Sequence, residues 1–413
     1  MKISAFLITL FATLVQCYDY ALFGLSASIL AKTFMPAHHE TEQLLSFFTI
    51  FSIAVIARPL GAIIFGIIGD TYGRVNAVKL AAGVAAISTS LIGLLPGFSM
   101  LGVAATIMLT LCRMVFLMSL AGEIDATRIY VAEKIGKRHR NLANGIVSFY
   151  TQIGALLAAI SYHLTASVEI VDLWRINFII GGLAGLLILL MRSYFQESDE
   201  FLSFKATAKK TKAASANIIA IIKTNKLKFV LSILITGCNG GIYNFLIIFF
   251  ATFATKIATI IDNAHAQLTN ICFIAIYAIS SLLAGLMADK YNSRIQIIAS
   301  LVTSLIAVIA ALSFEINDSI LYKIALLIIL LPFYAVPLQI IIQSMFNIGI
   351  RMRMCSLSHS IGSMLLSSTA PFCCMLLWKY SASIHLVFSF LLLLISIIFI
   401  STIYLLTPNL IQS

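Results

Sequence analysis

Twelve apolar runs of about 20 residues, each long enough to cross roughly 30 Å of hydrocarbon as a helix, are the feature that most constrains this chain. They fall near residues 4–31, 44–68, 76–95, 100–126, 142–165 and 175–194, then near 226–252, 266–287, 295–314, 320–345, 355–378 and 383–406. A single long polar stretch, 195–225, divides them six and six. With 61% hydrophobic and 10% charged residues, the apolar side chains exceed what one globular core can hide. Lipid is therefore the solvent, and helices satisfy their own backbone hydrogen bonds there. The expected fold is an all-α membrane protein of 12 transmembrane helices. Its expected domains are a six-helix half at 1–194, a cytoplasmic central loop at 195–225 and a second six-helix half at 226–413.

Lysine and arginine gather in cytoplasmic loops because translocating them is disfavoured. With the amino terminus inside, 19 of the 27 lie in cytoplasmic segments, from Lys2 through Arg74, Lys79 and the Lys134 to Arg140 cluster to Arg351 and Arg353. Five fall outside, and Arg58, Arg113 and Arg128 lie within spans. Both termini are thus expected in the cytoplasm. The net charge of +11 is this inside bias together with attraction to anionic headgroups, so the lipid bilayer is the expected partner and no nucleic acid is implied. The seven cysteines show no metal spacing and read as small apolar packing residues. No Walker sequence, zinc motif or nucleophile elbow occurs, so the chain is not expected to be an enzyme, and no catalytic residue, metal or cofactor is expected.

Ionisable residues inside a span are costly and usually face a cavity or a partner. Asp19 lies midway along the first span beside Tyr18. Arg58 precedes Asp70 by 12 residues, which at about 1.5 Å per residue places it roughly 18 Å from the following loop. Arg113 is similarly deep in span four. One carboxylate and two guanidiniums leave a local positive excess suited to a carboxylate-bearing solute; alternatively, Asp19 pairs with one arginine and only holds the bundle together. Arg58 precedes Pro59, so its guanidinium could instead satisfy a carbonyl freed where the helix bends. Asp125 and Arg128 are three residues apart and read as a local ion pair. Glu123 points elsewhere and is a candidate proton carrier, while His359, inside span eleven, could line a cavity. The second half offers amides and a phenol instead: Asn239, Tyr243 and Asn244 in span seven, Gln339 and Gln343 in span ten. They could bind a polar solute or join helices. Gly240 and Gly241 are expected to interrupt the seventh helix near the midplane.

The loop after span two reads Gly66-Ile-Ile-Gly-Asp70-Thr-Tyr-Gly73-Arg74, and a looser echo, Gly285-Leu-Met-Ala-Asp289-Lys-Tyr-Asn292-Ser-Arg294, follows span eight. This GxxxDxxGR pattern resembles the signature loop of the major facilitator superfamily, and two copies in register are what its duplicated halves would leave. Gly66, Asp70, Gly73, Arg74, Asp289 and Arg294 are accordingly assigned to a gate. The glycines allow close approach and left-handed turns, and the acids can accept from a helix amino terminus or an arginine.

Several further segments resemble the metabolite:proton symporter branch of that superfamily, which includes proline/betaine, α-ketoglutarate, citrate and shikimate transporters. They are Tyr18-Asp19-Tyr20 with Gly24 and Phe34-Met-Pro36, Arg58-Pro59-Leu-Gly61, Ala121-Gly122-Glu123, Trp174-Arg175-Ile-Asn-Phe178 and Glu197-Ser-Asp-Glu-Phe201. The chain departs from the branch at Gln16-Cys17, where Glu-Trp is usual, and at Phe116-Leu117, where Gln-Gly is usual. The resemblance implies a monomeric multi-pass protein of a bacterial inner (plasma) membrane. It would import a small carboxylate or zwitterion with a proton as coupling ion, by alternating access. Its substrate- or proton-binding candidates are Asp19, Tyr18, Arg58, Arg113, Glu123, Asn239, Tyr243, Asn244, Gln339 and Gln343. An exchanger or uniporter of an organic solute on the same fold is the alternative, and a non-transporting membrane receptor a more distant one.

Overall fold

The computed structural model describes residues 3–36, 39–72, 74–121, 123–166, 168, 172–192, 222–257, 263–313, 319–346, 348–381 and 383–406. Among them every regular element is a helix. The first half contains α1 (Ile3–Leu25), α2 (Ala27–Phe34), α3 (Glu40–Ala54), α4 (Ala57–Tyr72), α5 (Arg74–Leu94), α6 (Phe98–Leu101), α7 (Val103–Leu120), α8 (Glu123–Ile135), α9 (Arg140–Ala166) and α10 (Trp174–Arg192). The second contains α11 (Lys226–Tyr243), α12 (Asn263–Lys290), α13 (Ser293–Ser313), α14 (Ser319–Ser344), α15 (Ile348–Gly362), α16 (Ala370–Ser381) and α17 (Ile384–Leu406). Most of the expected central loop, residues 193–221, lies outside the described residues.

Eleven helical segments among the described residues are long and apolar enough to cross a membrane, and a shorter apolar helix covers Lys79–Leu94. That twelfth candidate lies in α5, whose sequence is rich in Ala, Ser and Thr. Large apolar side chains such as Leu94, Leu187, Leu190, Ile306 and Ile400 remain exposed on the outer faces, an arrangement that lipid stabilises and water does not. Polar and small residues point inward, where helices pack closely.

Within the first half α1 packs along α9 and α5 along α10; between halves, α9 runs along α12. The α9–α12 crossing is tight because both sides present glycine. A Cβ at Gly145 would stand 2.7 Å from the Ser281 carbonyl oxygen, and one at Gly285 would stand 2.7 Å from that of Asn141. An aromatic seam also joins the halves, with Phe48 of α3 edge-on to Phe249 at 5.4 Å.

Two local expectations change. The second span breaks at Val55–Ile56, between α3 and α4, and Pro59 gives the reason: its ring has no N–H and would clash with the carbonyl four residues earlier, that of Val55. That carbonyl accepts the Arg58 backbone N–H at 2.9 Å, so the guanidinium is not needed there. Gly240 and Gly241 do not interrupt their helix, because α11 continues through them to Tyr243 and then widens into π-helical turns at Asn244–Phe249 and Phe253–Ile257. Their role is proximity: a Cβ at Gly240 would collide with the Ser367 side chain, and one at Gly241 would meet the Leu366 carbonyl oxygen at 3.0 Å.

Candidate functional site

Asp19 is buried in α1 and its Oδ2 accepts a hydrogen bond from Thr89 Oγ1 of α5 at 3.2 Å. Its Oδ1 has no hydrogen-bond partner among the described residues, and the position of Gly181 in α10 leaves no room for a side chain against it. The carboxylate thus faces α5 and α10, inside the first half. Tyr18 is also tied within that half, its hydroxyl 3.1 Å from Ser161 Oγ of α9 and donating to the Asn177 carbonyl of α10 at 3.1 Å. The structure brings Tyr18 and Asp19 together on the α10 side of α1.

Among the described residues Arg113 is the most deeply enclosed charged side chain, 1% exposed. One Nη donates to the Tyr20 carbonyl at 3.3 Å. The guanidinium carbon stands 4.2 Å from the ring centre of Phe23, 5.0 Å from Phe116, 5.1 Å from Tyr20 and 5.8 Å from Phe51. No carboxylate lies within ion-pairing distance of it among the described residues, so the expected alternative of a direct Asp19–arginine pair is not what holds the bundle together. Arg58, also buried, donates from Nη1 to Ser363 Oγ of the second half at 2.6 Å. The Nε atoms of both arginines lack an acceptor among the described residues. Each guanidinium can donate five hydrogen bonds, and a buried cation is stable only with good compensation.

The second-half candidates divide. Asn244 is a helix tie: its Nδ2 donates to Ser367 at the carbonyl oxygen (2.9 Å) and at Oγ (3.1 Å). Tyr243 donates across the boundary to Gln152 Oε1 of α9 at 3.1 Å and lies edge-on to Tyr277, centroids 5.6 Å apart. Asn239 Oδ1 and Gln343 Nε2 are buried without hydrogen-bond partners among the described residues, and Gln339 is half-buried. Gln152, Thr89 and Ser363 belong to this polar set but are absent from the sequence-derived candidates. Gln152 carried a visible signal, an amide deep within an apolar run; Thr89 and Ser363 did not, because hydroxyls are common in spans as intrahelical donors.

At the face that carries the signature loops, Asp289 caps α9 from the other half. Its carboxylate accepts from the backbone N–H groups of Asn141 (3.1 Å) and Leu142 (2.8 Å) and from Asn141 Nδ2 (2.9 Å), where the helix amino terminus favours negative charge. The Arg294 backbone N–H donates to Asn292 Oδ1 at 3.0 Å, and the side chain is exposed. Asp125 of α8 meets His359 Nδ1 of α15 at 2.7 Å, nearer than Arg128 at 3.9 Å. The expected local pair is therefore part of a link between halves, and His359 is engaged in it instead of lining a cavity. Gly73 lies outside the described residues, as do the side chains of Gly66, Asp70, Arg74 and Glu123.

At the opposite face His163 Nδ1 lies 2.7 Å from Gln267 Oε1, while deeper in the spans the Ser52 hydroxyl is shared between the Phe48 and Ser368 carbonyls, each at 2.8 Å. Both faces are thus bridged. Between them and near the second face lies a cavity of about 50 Å³, lined in part by Ser28, Tyr162, Thr252, Thr255, Gln267 and Asn270. Ligand pockets usually reach about 300 Å³ or more, so this cavity is contracted in the conformation described.

The family model for the Major Facilitator Superfamily matches residues 9–260, well over half of the chain. The chain belongs to the Major Facilitator Superfamily. Among curated relatives, this superfamily member is 26% identical over 366 residues to a Staphylococcus aureus protein named for proline/betaine transport, covering 86% of this chain and 78% of the relative. It is 31% identical over 191 residues to the proline/betaine transporters of Salmonella typhimurium and Escherichia coli, covering 45% of this chain and 38% of each relative. Among solved structures it resembles the proton:xylose symporter XylE bound to 6-bromo-6-deoxy-D-glucose, with a TM-score of 0.78, 16% identity and coverage of 97% and 94% of the two chains. A partially occluded, inward-open structure of XylE from E. coli gives a TM-score of 0.75 at 15% identity, covering 98% of each. At these identities the structural likeness establishes the fold alone. The superfamily member is a multi-pass membrane protein and a secondary transporter, not an enzyme, and the branch resemblance of its first half is matched by relatives named for proline/betaine transport.

Proposed function

We propose that this transporter is a proton-coupled symporter of a small carboxylate or zwitterion, with twelve spans in two halves at 1–194 and 226–413 joined by the loop at 195–225. The observation that carries this reading is the pair of buried guanidiniums, Arg58 and Arg113, neither of which has a carboxylate within ion-pairing distance among the described residues. A solute carboxylate would compensate both, and Arg58 already touches the second half through Ser363, so an anion there would act on both halves at once. Tyr18, Glu123, Asn239, Tyr243, Asn244, Gln339 and Gln343 complete the proposed binding set, and Asp19 is the proposed proton carrier. The names of the curated relatives support proline or betaine-like solutes. Proton coupling draws further support from the resemblance to the metabolite:proton branch; an entering proton would supply about 2.3 kcal/mol per 100 mV of membrane potential.

Alternating access on this reading exchanges two sets of bridges. Asp289 with the α9 amino terminus, and Asp125 with His359, close one face; His163 with Gln267 closes the other. Gly66, Asp70, Gly73, Arg74 and Arg294 are assigned to the first gate, which would face the cytoplasm of a bacterial inner membrane, as would both termini, with the monomer as the working unit. Uptake of labelled proline, betaine, α-ketoglutarate and citrate into proteoliposomes, with and without a protonophore, tests the reading. Accumulation of at least one that collapses with the protonophore is the expected result, and uptake indifferent to the gradient refutes coupling. An exchanger or uniporter is the second reading, favoured by the position of Asp19 against α5 and α10, inside the first half.

A further inference from the structure

Four aromatic rings enclose the Arg113 guanidinium: Tyr20 and Phe23 from α1, Phe51 from α3 and Phe116 from α7. The phenylalanines are almost fully buried. This is an unfavourable enclosure for an arginine, because ring faces attract its charge but accept few of its five N–H donors; among the described residues the single hydrogen bond goes to the Tyr20 carbonyl, and Nε has no acceptor. A methylated ammonium has the opposite needs. It carries positive charge on apolar methyl groups, donates little or no hydrogen bonding, and is the ligand that ring cages recognise best. The box also lies next to the boundary between halves: Phe51 packs edge-on against Phe48, which meets Phe249 of the second half.

We propose that the ring box of Tyr20, Phe23, Phe51 and Phe116 is the subsite for the methylated ammonium of a zwitterionic substrate, held by Arg113 as an internal stand-in while the transporter is contracted. This rests on the carboxylate-binding reading of Arg113 given above. When substrate arrives, its carboxylate offers the planar two-point partner that arginine favours; the guanidinium swings out on its flexible stem to meet it, and the methylated ammonium takes the vacated rings. One ligand group displaces the other's competitor, so neither a bare carboxylate nor a bare cation binds as well as the two joined. The box thereby selects for methylation at nitrogen, which hydrogen-bonding amides such as Asn239 would disfavour.

The unmodified full-length protein in proteoliposomes provides the first arm. Glycine, N-methylglycine, N,N-dimethylglycine and glycine betaine are compared as competitors of labelled betaine, and affinity should rise with each methyl group, by roughly tenfold or more across the series. A flat or falling series overturns the proposal. In the second arm, Phe51→Leu should remove most of that preference while leaving inhibition by a nitrogen-free carboxylate such as α-ketoglutarate within about twofold; equal loss for both classes makes the rings mere packing and also overturns it. The third arm needs no transport. Labelled tetramethylammonium should bind Arg113→Gln more tightly than the unmodified protein, because the competing guanidinium is gone; no increase, in a variant whose unfolding remains cooperative, overturns the proposal. If tetramethylammonium behaves as expected but no carboxylate or zwitterion is carried, the ring subsite stands and the carboxylate reading of Arg113 fails instead.

Discussion

Asp125 and His359 lie 234 residues apart in sequence and 2.7 Å apart in space, and together they join α8 of the first half to α15 of the second. Asp125 is almost fully enclosed, with a side chain 4% exposed, and Arg128 adds a weaker contact at 3.9 Å. Removing either partner leaves the other polar group with its burial cost and without its bond. Asp125→Asn and His359→Leu should each lower the apparent stability of the contracted state by about 1–3 kcal/mol, and the double variant should be no worse than the poorer single. Thermal unfolding in detergent measures this. Strictly additive losses would mean that the two groups act separately.

The cap on α9 makes a second prediction. Asp289→Ala deletes three hydrogen bonds at a helix amino terminus, a loss of about 0.5–2 kcal/mol, and all of it falls on the conformation in which the signature-loop face is closed. A thiol probe at Asn141→Cys should react faster in the Asp289→Ala background, and turnover should fall while substrate binding persists. Unchanged labelling and normal turnover would remove Asp289 from the gate.

Gly145 and Gly285 give a steric version of the same test. A methyl group at Gly145 would stand 2.7 Å from the Ser281 carbonyl, and overpacking of this kind costs about 1–3 kcal/mol. Gly145→Ala should therefore bias the protein away from closure of this face and cut turnover by about tenfold at normal abundance. Wild-type turnover would show that α9 and α12 need not approach so closely during the cycle.

Asp19 and Arg113 have no direct ion pair, so neutralising both should not rescue what either single change loses. Asp19→Asn should leave abundance nearly intact, because the amide keeps a hydrogen-bonding group for Thr89, yet should abolish gradient-driven accumulation and retain counterflow exchange. A double variant, Asp19→Asn with Arg113→Gln, that regains abundance above either single would instead establish a structural pair.

The spans and the family were legible because each is written locally, in the length of an apolar run or in the spacing of glycine and aspartate. Even there the weakest run, Lys79–Leu94, is the one diluted by small and hydroxyl residues. The partners of the buried polar groups were not legible. A helix rotates by about 100° per residue, so whether Asp19 faces the central boundary or α5 and α10 depends on packing that no local pattern reports. Arg58 illustrates the same limit: Pro59 correctly marked a disturbed helix, but the break sits at Val55–Ile56 and the guanidinium reaches Ser363, 305 residues away. His359 looked like a cavity residue because nothing nearby in sequence pointed to Asp125.

Proton-coupled import is tested most directly by following external pH in weakly buffered, de-energised proteoliposomes while a carried solute such as betaine is added. The account predicts that the outer medium turns alkaline in step with solute uptake, in a fixed proton-to-solute ratio, and that Asp19→Asn abolishes this change while counterflow continues. Uptake of the same solute with no movement of external pH would contradict it and leave a uniporter or exchanger on this fold.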